Sequence, residues 1–480
     1  MSINSLIIDK LFRIYQLKKS IMSKTRCQFL IFSLIFMCIS SYTRAQQAES
    51  YNDYIPIIKN YLNDNYKDMF REPKGELKYS FIVPGSSQYE NVLWDWDSWW
   101  SNVAIRQILQ ENGSKEEREE ALKYEKGCIL NFLEFGGGDG WIPFQIKPGA
   151  SSRSKQIQAL KEDFGSQFNS NMHKPCLAQH AAFIIQQDGE NAEWLREKFY
   201  YMQSFINAYR NYYYNSKVGL YVFANDKGTG TDNDPTQYYR PPFSTATPYQ
   251  NSLMYKELQA MAYIAKQLNL GEIATDFENQ ASHLKAAMQT HMWDDVFEYY
   301  FSLDFNLLPN DRGSNHNKLH IGGPRAYDYI PIKLLTWTGF CTMWANVATP
   351  EQAKLMVEKH YRDTTNLKSP YGIRTLSKKE KMYFVGASGN PSSWLGPIWI
   401  ISNYMTFRGL INYGYETEAE EMAKETILLL GRDIKKNGGM HEYYLPSNGE
   451  PVLNLGFLNW NCLVMNMIAY LEGGKVIEEF

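Results

Sequence analysis

An all-α fold, a toroid of six helical hairpins or (α/α)6 barrel, is what the sequence predicts, and three observations carry it. Helical patterns follow one another in pairs from Tyr51 to Leu471. The connections alternate between very short and very long, and about six long ones recur at regular intervals, although structureless loops above about 12–15 residues are uncommon unless they are functional. Every second helix is apolar almost all round, while its partner carries one charged face; the first kind belongs in a buried inner ring and the second outside it. The strand patterns that a parallel α/β sheet needs between its helices are missing.

Taken in order, Tyr51–Phe70 and Asp97–Glu111 open the series, separated by the Pro-, Gly- and Ser-rich stretch Arg71–Trp96. Lys115–Glu134 follows after only Asn112, Gly113 and Ser114, and its face of Glu116, Glu117, Arg118, Glu119 and Glu120 marks it as an outer helix. The long loop Phe135–His173 leads to Pro175–Gln187, and a break at Gly189 opens Asn191–Tyr214. The loop Asn215–Ser244 precedes Thr247–Leu268, and Asn269–Gly271 joins it to Ile273–Trp293. Asp294–Tyr327 leads to Ile330–Asn346, and a Thr349–Pro350 start opens Glu351–Tyr361. After Arg362–Ser393 come Leu395–Tyr413 and, across Gly414–Tyr415, Glu416–Lys435. The last loop holds His441–Trp460 and runs into the apolar Leu463–Leu471. In such a toroid all long loops fall at one end, so functional residues are expected from them and from the adjacent helix starts.

Ahead of the barrel, Lys18, Lys19, Lys24 and Arg26 precede the apolar run Phe29–Ile39 and a small, polar stretch reaching Arg44, Ala45 and Gln46. That order is the one of a secretory signal peptide, and the run is too short for the ~18 residues of a membrane span. The expectation is a start at Met22, cleavage near Ala45, residues 1–45 as leader and 46–480 as a single domain, secreted or periplasmic, with no membrane partner after cleavage. A net charge of −3 gives no electrostatic case for nucleic acid. Beyond the leader, Cys128, Cys176, Cys341 and Cys462 are scattered in apolar surroundings without metal-ligand spacing, so buried free thiols are expected, with a disulfide left open.

The chemistry on the long loops is carboxylates and aromatic rings. Aromatics make up 15% of the chain, with 12 Trp and 34 Tyr, more than a core alone needs and suited to stacking on sugar rings. The first loop ends in NVLWDWDSWW (Asn91–Trp100), where Asp97 reads either as a helix cap or as a carboxylate bridging two hydroxyls. The second carries GDGWIPFQ (Gly138–Gln145), the third GTGTDNDP (Gly228–Pro235), the fourth GGPRAYDYIP (Gly322–Pro331) and the fifth GNPSSWLGPIW (Gly389–Trp399). The sixth is HEYYLPSNGEPVLNLGFLNW, with Glu442 between His441 and two tyrosines. No HExxH, GxSxG, phosphate-binding or dinucleotide glycine motif is present, so neither metal nor cofactor is expected.

Together, in this order and spacing, LWDWDSWW, DGWIPFQ, TDNDP, PSSWLGPIWIISNYMTFRGLINYG and HEYYLPSNGE with FLNW resemble the inverting α-glycosidases of glycoside hydrolase family 63 and their trehalase relatives in family 37. The resemblance covers nearly all of residues 46–480, which it implies to be the catalytic domain; their small size is most like members acting on short glucosides or on mannosyl- and glucosylglycerate. It implies Asp232 as general acid and Glu442 as general base, with Trp94, Asp97, Trp141, Gln145, Arg325, Trp394 and Trp460 on the substrate, an oligosaccharide or small glycoside. Asp234, Pro235 and Thr236 stand where the family usually has Ser-Pro-Arg, and Leu445 replaces a common Asp, so the choice of substrate is not carried over. Inversion needs one protonated and one ionised carboxyl group ~6.5–9.5 Å apart with a water between. A trehalase is the nearest alternative. From other classes come a sugar epimerase or polysaccharide lyase, drawing on His173, His180, His316 or His320, and a non-catalytic glycan-binding protein.

Overall fold

The computed structural model describes residues 49–307, 327–386 and 392–480, and Tyr51–Phe480 form one compact unit. Its outer helices are α1 (Ile55–Asn65), α3 (Lys115–Gly136), α5 (Phe199–Tyr212), α7 (Gly271–His291), α9 (Pro350–Met356, extended by a wide turn to Tyr361) and α11 (Glu416–Asn437). The inner ones are α2 (Asp95–Asn112), α4 (Leu177–Gln187), α6 (Pro248–Gln267), α8 (Trp337–Phe340 continued by Cys341–Trp344), α10 (Ile400–Asn412) and α12 (Val464–Leu471). Around the inner ring α2 packs on α4, α4 on α6, α6 on α8 and α8 on α10. The turn Asn459–Leu463 and α12 then bring the chain back to α2 and close the ring.

Burial follows the two periodicities. Every residue of α10 from Ile400 to Leu410 is buried, whereas α7 buries only Ala274, Phe277, Ala281, Leu284 and Met288, a stripe at helical spacing. Local chemistry sets the helix starts. Ser114 and Glu117 form a capping box ahead of α3, Thr349 and Gln352 another ahead of α9, and Thr247 caps α6 with Pro248 in its first turn. The ring is filled by rings: Trp99 stacks on Trp100 at 4.1 Å, and Trp344 and Tyr404 close on them edge-on or tilted within 6.4 Å.

Several boundaries differ from the sequence reading. The second helix begins at Asp95, not Asp97, because Trp94 is already paired in a short ladder. Ile330–Ile332 is a strand, and the helix expected from Ile330 starts only at Trp337. Arg153–Phe164, expected as loop, is a helix with no buried residue, so no apolar stripe announced it. Among the described residues the long loops also carry seven small antiparallel sheets of two or three strands, too short to leave an alternating pattern in sequence. Cys128, Cys176, Cys341 and Cys462 are free and buried. No helix among the described residues is long and apolar enough to cross a membrane.

Candidate active site

The acid-bearing turn is wound on itself. Asp234 N donates to Thr231 O at 3.1 Å, and the amides of Gln237 and Tyr238 return to Asp234 O at 3.0 and 2.8 Å. At Gly230 the backbone takes φ +73°, and an added Cβ would stand 2.8 Å from Lys174 Cε and 2.9 Å from the Trp96 ring, so only glycine seats the turn there. Beneath it Lys174 and Asp95 form a buried ion pair at 2.8 Å. Asn233 adopts φ 55°, which Asn tolerates, and its Oδ1 accepts Trp394 N at 2.9 Å, tying this turn to the fifth loop. Asp234 is committed to structure: its carboxylate accepts Thr236 N and Oγ1, both at 2.8 Å, and burial pushes it up to about 6. Between these anchors Asp232 is the partly exposed carboxyl of the turn.

Glu442 is carried on a hairpin in which Tyr443–Tyr444 pairs with Pro451–Val452, while Tyr444 exchanges two backbone bonds of 2.9 Å with Ile398. A buried carboxylate on α11, Asp433, accepts His441 N at 2.8 Å, His441 Nδ1 at 2.9 Å and Tyr444 Oη at 2.7 Å, so both flanks of Glu442 are held by one group. The Glu442 side chain is only 4% exposed. Tyr89 Oη donates to its Oε1 at 3.1 Å and Asn454 Nδ2 to its Oε2. Burial pushes this carboxyl up to about 7; the two donors pull it down, and the charge of Asp232 pushes it further up. Asp232 and Glu442, from loops 210 residues apart in the chain (442 − 232), are thus brought within electrostatic reach of each other and of Tyr89.

Aromatic rings bridge the two carboxyl groups. Trp96 stands at the middle, 4.9 Å from Trp460, 5.9 Å from Tyr249 and 6.4 Å from Trp394. Trp394 stacks on Trp399 at 4.1 Å, and Trp399 on Tyr443, the neighbour of Glu442, at 5.0 Å. Tyr89 meets Trp94 and Phe457 edge-on at 6.1 and 5.8 Å. Trp94 and Gln145, taken from different loops, are direct partners in one ladder. The indole N–H groups of Trp94, Trp394 and Trp460 and the Oε1 of Gln145 are buried without a protein partner, donors and an acceptor able to meet hydroxyls. The same holds for Trp99 and Trp100 in the core, so it is the location that gives this meaning.

Asp97 is not the helix cap: it lies in the first turn of α2, accepts Asn459 Nδ2 at 2.7 Å, and is pushed by burial up to about 7. Trp141 stands apart from the other rings, with its indole under the Arg153 guanidinium at 5.9 Å. Arg325, His316 and His320 lie outside the described residues. His173 and His180 are core residues that burial pushes down to about 4 and about 3, one against the backbone carbonyl of Lys174 and the other against Asn102 Oδ1. No cluster of His, Cys, Asp or Glu suited to a metal is found among the described residues. The sequence reading passed over Tyr89, Asn454 and Asp433, which touch or frame Glu442. Tyr89, two residues before NVLWDWDSWW, was within reach of a signal, whereas Asp433 looks like any outer-helix carboxylate.

Residues 89–460 match the model of the mannosylglycerate hydrolase MGH1-like glycoside hydrolase domain. A mannosylglycerate hydrolase of Rubrobacter radiotolerans is 25% identical over 208 residues, 43% of this chain and 40% of that enzyme, so the alignment spans well under half of that relative. The solved GH63 mannosylglycerate hydrolase of Thermus thermophilus, in complex with Tris and D-glycerate, superposes with a TM-score of 0.62 at 18% identity, over 85% of this chain and 99% of that one. Neutral trehalase from Saccharomyces cerevisiae superposes with a TM-score of 0.53 at 15% identity, over 85% and 79%. At these identities the two structures speak for the fold, the six-hairpin toroid, and the domain match speaks for the family. The chain belongs to the family of mannosylglycerate hydrolase MGH1-like glycoside hydrolase domains.

Proposed function

We propose that the protein hydrolyses α-linked glucosides or mannosides with inversion of the anomeric carbon, Asp232 acting as general acid and Glu442 as general base. The observation that carries this is the gathering of two loop carboxyl groups at one aromatic-walled site, the Asp232 turn tied through Asn233 to Trp394 and the Trp394–Trp399–Tyr443 stack leading to Glu442. Inversion requires one carboxyl group protonated and the other ionised, and the hydrogen bonds that Tyr89 and Asn454 donate to Glu442 favour its ionised form. Glu442 in its dry pocket, poised near neutrality, takes a proton from water as that water attacks the anomeric carbon. Asp232, on the partly exposed turn, delivers its proton to the glycosidic oxygen as the bond to the leaving group breaks. Trp94, Asp97, Gln145, Trp394 and Trp460, with Trp96 between them, hold the sugar by ring stacking and hydroxyl contacts.

Mannosylglycerate hydrolases and trehalases among the similar proteins support two substrate groups. The test is hydrolysis by the purified protein of mannosylglycerate, glucosylglycerate, trehalose and simple α-glucosides and α-mannosides. Turnover of a glycosylglycerate or α-glycoside that falls by at least about 10²-fold in both Asp232→Asn and Glu442→Gln supports the reading, and turnover that is unchanged in both removes it. Export is a separate proposal resting on the order of charge and apolarity in residues 22–45. N-terminal sequencing of protein recovered from outside the cytoplasm should begin close to residue 46, and residues before Ala45 persisting there would contradict it.

A further inference from the structure

The two donors on Glu442 come from unrelated parts of the chain. Tyr89 ends the short helix Ser86–Tyr89, ahead of α2, and its ring is fixed edge-on between Trp94 and Phe457. Gln88 Nε2 donates to the Tyr89 oxygen at 3.1 Å, so the phenol proton is left to point at Glu442 Oε1, 3.1 Å away. Asn454 reaches Oε2 from two residues beyond the return strand Pro451–Val452. It does so at a backbone cost, because Leu453 and Asn454 are successive non-glycine residues at φ 62° and 50°. Asn accepts that conformation, but Leu does so only with strain, and strain of this kind is retained where a site uses it. The bond from Glu442 N to Leu453 O, 3.0 Å, keeps the pair of left-handed residues opposite the carboxylate.

We propose that Tyr89 and Asn454 are positioning residues for the base: each holds one carboxylate oxygen of Glu442, and together they turn its remaining lone pairs toward the attacking water and keep the group ionised during turnover. This rests on Glu442 being the base. Both groups are donors here, and donors favour the charged form of a carboxylate. The other charged or titratable groups around Glu442 are Asp232 from the acid turn and Tyr443 beside it in the chain, while Asp433 and His441 are bonded to each other at its flank. Removing either donor therefore raises the pH at which the base ionises.

The experiment is the pH profile of kcat/KM on the best α-glycoside for the unmodified enzyme, Tyr89→Phe, Asn454→Gly and Glu442→Gln. Tyr89→Phe keeps the ring between Trp94 and Phe457. Asn454→Gly keeps the left-handed backbone, which glycine adopts at no steric cost, so it should melt close to the unmodified enzyme. For both, the acid limb should move up by about one pH unit, the size of one hydrogen bond to a charged group, with kcat on the plateau lowered several-fold and KM little changed. A Gly variant that is as stable as the unmodified enzyme yet shifted in its profile separates positioning from a merely structural role. Acid limbs that stay in place in both variants, while Glu442→Gln is inactive, overturn the positioning proposal alone. Full activity in Glu442→Gln removes the base assignment and this proposal with it.

Discussion

The turn that carries Asp232 and the hairpin that carries Glu442 hold their carboxyl groups by opposite means. The turn is bonded mostly within itself, from Thr229 Oγ1 accepting Thr231 N at 2.9 Å to the Asp234–Thr236 pair, and reaches outward chiefly through Asn233. The hairpin depends on distant partners: Asp433 from α11, Ile398 from the fifth loop, Asn461 on the carbonyl of His441 at 2.7 Å, and Tyr89 from the first loop. One carboxyl is left partly open to solvent; the other is dry and surrounded. The lesson is that two carboxyl groups of one site are held in different ways, one by a self-contained turn and the other by partners drawn from across the chain. A group that must deliver a proton to a departing oxygen sits where the substrate can reach it, and a group that must accept one sits where its orientation is fixed.

The largest effects fall on the carboxyl groups themselves. Glu442→Gln and Asp232→Asn should each lower kcat by roughly 10²–10⁴-fold, the range of general acid–base assistance, with folding intact by circular dichroism. Next comes the support of the hairpin. In Asp433→Asn the amide cannot accept from every donor that the carboxylate now serves, so the hairpin loosens. Steady-state kinetics should show kcat falling by about 10²-fold, as small misplacements of a catalytic group do, and denaturant unfolding should show a loss of about 1–3 kcal/mol. The pH profile gives the third prediction. Because Glu442 is raised to about 7 and works ionised, kcat/KM should fall as pH drops through about 7, through protonation of the base. The smallest effect belongs to the acid turn's inner carboxyl: Asp234→Asn keeps an oxygen for the Thr236 donors, and should keep activity within about tenfold. A greater loss there than in Asp232→Asn would reassign the acid by two residues.

How much of this was legible in the sequence follows the same division. The toroid was readable because burial is written in periodicity, as in the all-apolar α10 against the striped α7. Trp394 and Trp460 were singled out by the family resemblance, and Glu442 also by its Pro-, Asn- and Gly-rich loop; the structure buries all three. Tyr89 on Glu442 and Asp433 at its flank were not legible, because a contact between residues 353 positions apart leaves no local trace. The start of α2 was misplaced by two residues because Trp94 pairs with Gln145 across more than fifty residues, and that ladder, not a capping side chain, decides where the helix begins.

Most direct for the account as a whole is the anomer first released from an α-linked substrate, followed by proton NMR before mutarotation sets in. Attack by a Glu442-activated water on the face opposite the leaving group predicts the β-anomer as the nascent product. Nascent α-anomer would mean retention, and with it a nucleophilic carboxylate and a different catalytic pair.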